Sequence, residues 1–352
     1  MKFGIFLPNG SNGYIPSKDS PVYQPTFQHN LEITLEAEKQ GLDFVLSMMK
    51  YKGFGGDTGY WDSCLETFTL MAGLAAKTDK IGLFPTVTLL AHNPAITARM
   101  VATIDQISNG RCGLNIVTGW NKPEYTQMGL WKGDEYYHKR YEFAEEYLGL
   151  VKSFWNEEYV SYSSDFFHFE DCACWPKPSR QIPIVCAGQS PAGIDFTARN
   201  GDHSFIMAEK NLLAKTCESM RRAAEKNNRQ VGIFALFQLI IANSDDEAID
   251  ICNSIVDGAD RGAINNILAS ASMDTSAGGT SERMRQGLGK DFEEGNLAFM
   301  GMPVIHGSPK TIARKIDEIS ETAGLDGILF SMPDFVSSIK RFGEEVKPLL
   351  KG

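Results

Sequence analysis

The chain of 352 residues lacks the features that mark several large classes of protein. No run of eighteen apolar residues occurs, so we expect no membrane-spanning helix. The 34 basic residues are outnumbered by 44 acidic ones, and a net charge of −10 disfavours a nucleic-acid surface. The segment 1–8 becomes polar too early for a secretory signal peptide. We therefore expect a cytoplasmic protein of ordinary globular composition.

Cysteine is scarce and scattered along the chain. The seven cysteines are odd in number, which disfavours a disulfide framework and favours a reducing compartment. Only Cys172 and Cys174 are close together, and no second Cys or His pair stands at the spacing of zinc ligands. We expect no metal site and place these two thiols in a surface loop.

Familiar catalytic signatures are missing as well. The chain has no Gly-x-Ser-x-Gly elbow, no His-Glu-x-x-His and no Walker loop. Its six histidines are isolated from one another, which favours surface or supporting roles over catalysis. An enzyme without an evident acid, base or nucleophile is typical of reactions that a cofactor carries.

What the chain does contain is a regular alternation of short apolar runs and longer amphipathic segments. The runs are largely apolar rather than alternating, as expected for parallel strands buried on both faces. Eight strands are predicted, at residues 3–7, 44–48, 81–88, 113–117, 184–187, 204–207, 233–242 and 327–332. An open doubly wound sheet shares this pattern, but no Gly-x-Gly-x-x-Gly follows the first strand. We predict an α/β protein, a (β/α)8 TIM barrel with insertions, as one domain over 1–352.

Helices are predicted between the strands from apolar spacing and from start signals. Apolar stripes at helical spacing comprise Phe27, Leu31 and Leu35; Ile96, Met100, Ile104 and Ile107; and Ile312, Ile316 and Ile319. Capping residues precede a proline at Asn93, Ser190 and Ser308. Insertions near 119–135, 156–183 and 259–302 interrupt the repeat, and such long loops often cover active sites.

Candidate binding residues follow the strands, because barrel active sites lie at the carboxyl ends of the strands. After the strand 184–187, a glycine-rich turn at 188–193 opens a helix and favours a phosphate near Ser190, although an ordinary helix cap explains Ser190 equally well. Arg140 is suited to bind a phosphate through two parallel bonds, and Tyr141 to flank a flat ring. The alternative for this second pair is a plain charged helix face.

A second group of candidates lies at two other strand ends. Asn115 places an amide in an apolar strand, where it needs a hydrogen-bonding partner such as the edge of a heterocycle. Trp120 follows as a pocket wall or as a core residue, and Thr86 ends the third strand in a similar way. The loop 48–56 mixes aromatic residues with three glycines and is typical of a flexible wall over a flat ligand.

These segments together carry a resemblance to a known family. The matching runs are residues 2–8, 46–48, 53–56, 66–75, 102–110, 115–129, 186–193, 334–335 and 342–344. The chain resembles the bacterial-luciferase-like flavin monooxygenases, and within them the subgroup that opens pyrimidine rings in uracil degradation. The resemblance covers essentially the whole chain and is densest up to about residue 200.

The resemblance implies a cofactor, a partner and a set of site residues. The cofactor is reduced FMN, supplied by a separate NAD(P)H-dependent flavin reductase, and the co-substrate is O2. The implied flavin contacts are Met49, Lys50, Asn115, Glu124, Arg140, Tyr141 and Ser190. The implied oxygen pocket consists of Leu46, Thr86, Asn115, Ile116 and Trp120. A flavin peroxide is then expected to open the N3–C4 amide of uracil or thymine to a ureidoacrylate, in a homo-oligomeric enzyme.

Three alternatives remain open, and the looser match from about residue 200 to 300 motivates the first. The same flavin chemistry can act on a sulfone, an aminopolyacetate or another heterocycle. A deazaflavin-dependent dehydrogenase shares the barrel and transfers hydride without oxygen. A flavin-binding protein without catalytic activity is the third possibility.

Overall fold

A computed structural model of the chain describes residues 1–208, 210–274, 281–282 and 291–351. Its strands are β1 Lys2–Leu7, β2 Phe44–Ser47, β3 Gly82–Phe84, β4 Thr86–Thr88, β5 Leu114–Val117, β6 Val160–Ser163, β7 His168–Cys172, β8 Ile184–Cys186, β9 His203–Ile206, β10 Gly232–Ile241, β11 Val304–Gly307 and β12 Gly327–Ser331. Its α-helices are α1 Phe27–Lys39, α2 Thr67–Ala75, α3 Pro94–Ile107, α4 Lys122–Thr126, α5 Asp134–His138, α6 Arg140–Asn156, α7 Pro191–Asn200, α8 Lys210–Lys226, α9 Asp245–Asp257, α10 Arg261–Ser272, α11 Pro309–Ala323 and α12 Phe335–Arg341.

The main sheet is parallel and closes on itself. Its order is β3-β2-β1-β12-β10-β9-β8-β5-β4, and β3 and β4 are two halves of one strand around Pro85. The eight predicted strands therefore form a ring in sequence order, which confirms the TIM barrel. The predicted continuous strand at 81–88 is wrong in one respect: proline has no N–H to donate, and the strand is interrupted at Pro85. The Pro85 carbonyl still accepts from the Asn115 N–H at 2.9 Å.

Two strand features were not predicted. The short strand β11 pairs in parallel with the carboxyl half of β10, from Gln238 opposite Val304 to Ile241 opposite Gly307. Within the insertion 156–183, β6 and β7 form an antiparallel hairpin. Both strands of the hairpin are largely exposed, so they lack the continuous apolar run by which the barrel strands were recognised. In the insertion 259–302, residues 275–280 and 283–290 lie outside the described residues.

Three aspartates connect neighbouring strands at the amino-terminal end of the barrel. Asp43, Asp202 and Asp326 each stand directly before a strand, and each carboxylate accepts the N–H of a residue on or next to the adjacent strand. The donors are Phe3, Ile184 and Ile233, at 2.8, 2.8 and 2.7 Å. Hydrogen bonds to a carboxylate are stronger than those to a neutral acceptor. These three contacts therefore fix the register of neighbouring strands at their starts.

The helices begin and end largely where the signals indicate, but two apolar stripes do not mark the buried face. On α1, Phe27 and Leu35 are 40% and 41% exposed, and the helix instead buries a set centred on Ile33. On α3, Ile96 and Ile107 are 57% and 43% exposed, although Ile104 is buried. The stripe of α11 is buried as predicted, at Ile312, Ile316 and Ile319.

The predicted helix caps hold at two of the three starts. The side chain of Asn93 accepts from the Ala95 N–H, and Ser190 accepts from the Gly193 N–H. Ser308 stands at the cap position of α11 without a capping bond, because its hydroxyl and its N–H both donate to Asp245.

The prediction that Cys172 and Cys174 both lie at the surface is wrong for Cys174, which is only 1% exposed. No helix in the described part of the chain is long and apolar enough to cross a membrane.

Candidate active site

A buried polar pair joins β4 and β5 inside the barrel. Thr86 and Asn115 are register partners, and the Asn115 amide Nδ2 donates to Thr86 Oγ1 at 2.8 Å. The Thr86 hydroxyl donates in turn to the Ser47 carbonyl, and the Thr86 N–H donates to Thr67 Oγ1 at 2.9 Å. Both side chains are buried, and Asn115 Oδ1 has no partner among the described residues. A buried acceptor without a donor is costly, so this atom points to a ligand.

A buried ion pair joins the loop after β2 to helix α4. Lys50 Nζ donates to Glu124 Oε2 at 3.0 Å, and both side chains are only 6% exposed. Glu124 Oε1 also accepts from the Tyr51 N–H at 2.5 Å. Burial lowers the pKa of Lys50, and the Glu124 carboxylate opposes that shift. The pair therefore ties together two walls of the barrel mouth with opposite charges.

Aromatic rings surround the same ammonium group. Lys50 Nζ lies 4.6 Å from the ring centroid of Phe54, 5.5 Å from that of Trp120 and 6.0 Å from that of Trp61. Cation–π contacts of this kind stabilise a desolvated charge. The residue that the resemblance assigned to flavin contact is thus also the centre of an aromatic wall.

The turn from β8 into α7 forms a close backbone cradle. A Cβ on Gly188 would lie 2.8 Å from the Tyr141 hydroxyl, and a Cβ on Gly193 would lie 2.6 Å from it. Ser190 caps α7 with its side chain at 3.2 Å from the Gly193 N–H. Free N–H groups at a helix start and room for close backbone approach are what an anion needs. The glycines are thus required by the tyrosine hydroxyl that packs over them.

Arg140 begins α6 and is oriented by its neighbours. Its Nη1 donates to the Tyr137 carbonyl at 2.8 Å, and its guanidinium lies 4.1 Å from the Tyr137 ring centroid and 5.1 Å from that of Tyr141. A stacked, preorganised guanidinium loses little side-chain entropy when it binds an anion.

Some of these groups line one cavity of about 240 Å³. The predicted residues that line it are Ile116, Trp120, Arg140, Tyr141 and Ser190. Leu46, Thr86 and Asn115 are buried in the barrel and are not among its lining residues, so the predicted oxygen pocket is divided between the barrel interior and the cavity wall. Met49 is half-buried beside Lys50, at the end of β2.

Sequence reasoning missed other residues of this site. Asp274 and Ser281 line the cavity and are hydrogen-bonded to each other at 2.8 Å, although they belong to the insertion 259–302. No periodic signal marks them, because the insertion has no regular pattern. The pairing of Lys50 with Glu124 also had no local signal, since 74 residues separate the two.

A closed parallel barrel with a buried polar pair on β4 and β5 and a glycine-rich turn after β8 defines the (β/α)8-barrel class of proteins. The luciferase-like monooxygenase family matches residues 1–327, and the chain belongs to that family.

The similarity extends to particular relatives. The chain is 42% identical over 355 aligned positions to pyrimidine monooxygenase RutA of Acinetobacter baylyi, covering 99% of this chain and 95% of the relative. It is 41% identical to the protein of the same name from Escherichia coli, covering 100% and 96%. Among solved structures, riboflavin lyase RcaE, with modified FMN and riboflavin, superimposes with a TM-score of 0.84 at 22% identity, covering 99% of this chain and 91% of that one.

Proposed function

We propose that the protein is an FMN- and O2-dependent monooxygenase that opens the ring of uracil or thymine at the N3–C4 amide. The observation that carries the proposal is the Asn115–Thr86 pair, which leaves a buried amide oxygen without a partner inside the barrel mouth. Full-length similarity to pyrimidine monooxygenases supports the choice of substrate.

The residues present fit an FMN molecule. The start of α7 with Gly188 and Ser190 suits the phosphate, and the oriented guanidinium of Arg140 adds a positive charge beside the same cavity. Tyr141 and Trp120 offer flat apolar surfaces for the ring system, and Asn115 Oδ1 offers an acceptor for a ring N–H. Met49, Lys50 and Glu124 complete the proposed flavin contacts on the other wall.

Reduced FMN supplies the electrons for oxygen activation, and the protein supplies orientation and exclusion of water. Thr86 and Asn115 hold their polar atoms 2.8 Å apart and are fixed by the Ser47 and Thr67 contacts, so little reorganisation is needed to bind oxygen and stabilise developing charge. Leu46, Ile116 and Trp120 provide apolar surroundings that exclude water.

The test is the consumption of uracil and thymine by the protein with FMN, NADH, O2 and a flavin reductase, followed by product mass. Asn115→Ala removes a preorganised amide donor, and Thr86→Ala removes the acceptor that orients this amide, so each is expected to lower turnover by about a hundredfold. Full turnover in both variants would contradict the roles proposed for Thr86 and Asn115. Turnover of a sulfone or an aminopolyacetate without any uracil consumption would overturn the substrate.

The same proposal includes the partners and the compartment. A separate NAD(P)H-dependent reductase supplies the reduced flavin. The protein forms a homo-oligomer, for which exposed apolar side chains on α3 are the structural support. A cytoplasmic location agrees with seven cysteines that are all unpaired.

A further inference from the structure

Two polar side chains on neighbouring strands lie buried in the barrel without satisfying their hydrogen bonds. Gln238 on β10 and Ser331 on β12 are register partners, and both are 0% exposed. Gln238 Oε1 and Ser331 Oγ have no hydrogen-bond partner among the described residues. Buried polar atoms are almost always paired in native proteins, so two adjacent exceptions require an explanation.

Both side chains point into the barrel rather than toward the helices. The Phe234 ring contacts the Phe44 ring of β2 across the barrel interior at 5.4 Å and the Phe205 ring of the neighbouring strand β9 at 5.8 Å. Gln238, four residues later, therefore shares the inward face of Phe234. The Phe330 ring packs outside the barrel against Phe342 at 5.1 Å, and the next residue, Ser331, therefore faces inward.

The pair stands opposite Asn115 and Thr86 in the ring of strands. Two strands, β1 and β2, separate β12 from the β3/β4 strand on one side. Two others, β8 and β9, separate β10 from β5 on the other side. The two polar pairs therefore stand on opposite sides of the ring of strands.

The chemistry that the second pair offers is specific. The Gln238 amide Nε2 donates to the Tyr14 carbonyl at 3.1 Å and contacts Met302 Sδ at 3.7 Å, which leaves Oε1 to accept. The Ser331 hydroxyl is able to donate beside it. A ring N–H next to a ring C=O presents the complementary donor and acceptor.

We propose that Gln238 and Ser331 bind the N–H and C=O edge of a cyclic amide, as a second recognition element of the active site. The inference rests on the proposed function, because the pyrimidine substrate and the pyrimidine ring of the flavin both carry such an edge. The shared chemistry is the cyclic amide, and binding measurements separate the two sources.

The experiment uses Ser331→Ala and Gln238→Met, with Ser204→Ala as the matched control. Ser204 is also 0% exposed and also lacks a partner for its hydroxyl among the described residues. It faces away from the barrel interior, because the neighbouring Phe205 ring points inward. Binding of FMN is measured by flavin fluorescence, and binding of uracil by calorimetry on the FMN-loaded protein.

We expect Ser331→Ala and Gln238→Met each to weaken one of the two ligands by about fivefold or more, the scale of one lost hydrogen bond. Ser331→Ala should not lower the thermal midpoint of the ligand-free protein, because it removes an unsatisfied hydroxyl. Ser204→Ala should also leave the thermal midpoint of the ligand-free protein no lower than in wild type. It should leave the affinities for FMN and for uracil unchanged. Weaker uracil binding assigns the edge to the substrate, and weaker FMN binding assigns it to the flavin.

The proposal is overturned if neither affinity changes in either variant, since the pair then binds internal water alone. Equal weakening by Ser204→Ala would also overturn it, because the effect would then be general to the barrel. If wild-type protein binds FMN but no uracil, the proposed substrate fails while the FMN measurement still tests the pair.

Discussion

At the residue scale, the charge of Lys50 depends on one carboxylate. Glu124→Gln keeps an acceptor for the Tyr51 N–H but leaves a buried ammonium without its counter-charge. Breaking such a pair costs about 3 kcal/mol or more in the free energy of unfolding. Denaturant unfolding measures this, and Glu318→Gln in the exposed Arg314–Glu318 pair is the control, with an expected change within about 0.5 kcal/mol.

The loss of unfolding free energy in Glu124→Gln, relative to wild type, should become smaller as the pH rises. Burial lowers the pKa of Lys50 below its ordinary value of 10.5, and the variant loses the carboxylate that opposes this shift. Between the lowered pKa and the ordinary value, the unfolded chain binds more protons than the folded one, so stability rises with pH. A deficit that stays constant or grows from neutral to alkaline pH would contradict a charged Lys50 in this site.

Gly188, in the turn from β8 into α7, allows a second prediction at the residue scale. Gly188→Ala places a Cβ 2.8 Å from the Tyr141 hydroxyl and 2.9 Å from Gly193 Cα, so the turn must open. We expect FMN affinity, measured by fluorescence titration, to fall at least about tenfold. Gly149→Ala is the control, because it lies in α6 with nothing near its Cβ and should stabilise the helix by up to about 1 kcal/mol. Unchanged FMN affinity in Gly188→Ala would remove the cradle from the binding site.

Sequence alone located the site residues that lie on a strand or at a helix start. Asn115, Thr86 and Ser190 were found because each stands where an apolar run or a helix start marks its position. The pairs Lys50–Glu124 and Gln238–Ser331 were not found, because they are joined only through the closed barrel. Their residues are 74 and 93 positions apart.

At the element scale, helix α10 holds the glycine-containing loop at residues 53–61, which forms one wall of the site. The buried Asp260 caps α10 and also accepts from the Thr58 N–H and hydroxyl, each at 2.8 Å. Burial would raise the pKa of Asp260, but these donors and the Ala263 N–H lower it overall. Asn266 Nδ2 donates to the Phe54 carbonyl at 2.8 Å. Helix α10, which belongs to the insertion 259–302, therefore positions Phe54, the residue whose ring lies over the Lys50 ammonium group.

Asn266→Ala should loosen this wall without unfolding the barrel. We expect faster amide hydrogen exchange over residues 53–61 and a several-fold higher KM for the pyrimidine, because Phe54 loses its anchor. Asn265→Ala is the control, since Asn265 is an exposed neighbour on the same helix. Equal exchange in the two variants would show that Asn266 does not hold the wall.

Elements were predictable where apolar patterns are continuous, and the misses have physical reasons. The barrel strands are buried on both faces, so their runs identify them. Pro85 divides one of them because it lacks a donor, and β11 has only two apolar residues before His306 and Gly307, so it presents no continuous apolar run. On α3, the stripe through Ile96 and Ile107 indicated the helix correctly and its buried face wrongly.

At the scale of the whole molecule, that exposed stripe has a consequence for assembly. Ile96, Met100, Phe68 and Ala72 line a groove of about 490 Å³ between α2 and α3, with Cys172 and Ala173 also on its wall. Exposed apolar surface of this kind marks interaction sites, and a patch shared by identical chains favours a two-fold contact. That residues 1–352 form a single domain also stays a prediction.

We therefore expect Ile96→Lys to shift the protein from a homo-oligomer to a monomer, measured by light scattering after size-exclusion chromatography. A charge at a side chain that is 57% exposed in one chain costs little in the monomer but would be buried without a partner in a two-fold contact over this groove. Ile249→Lys is the control, because Ile249 on α9 is 38% exposed and distant in sequence from the groove, so its mass should match wild type. A wild-type monomer at micromolar concentration would exclude the oligomer. An unchanged oligomer in Ile96→Lys would place the contact on another face, since a contact over this groove would bury the lysine of each chain without a counter-charge.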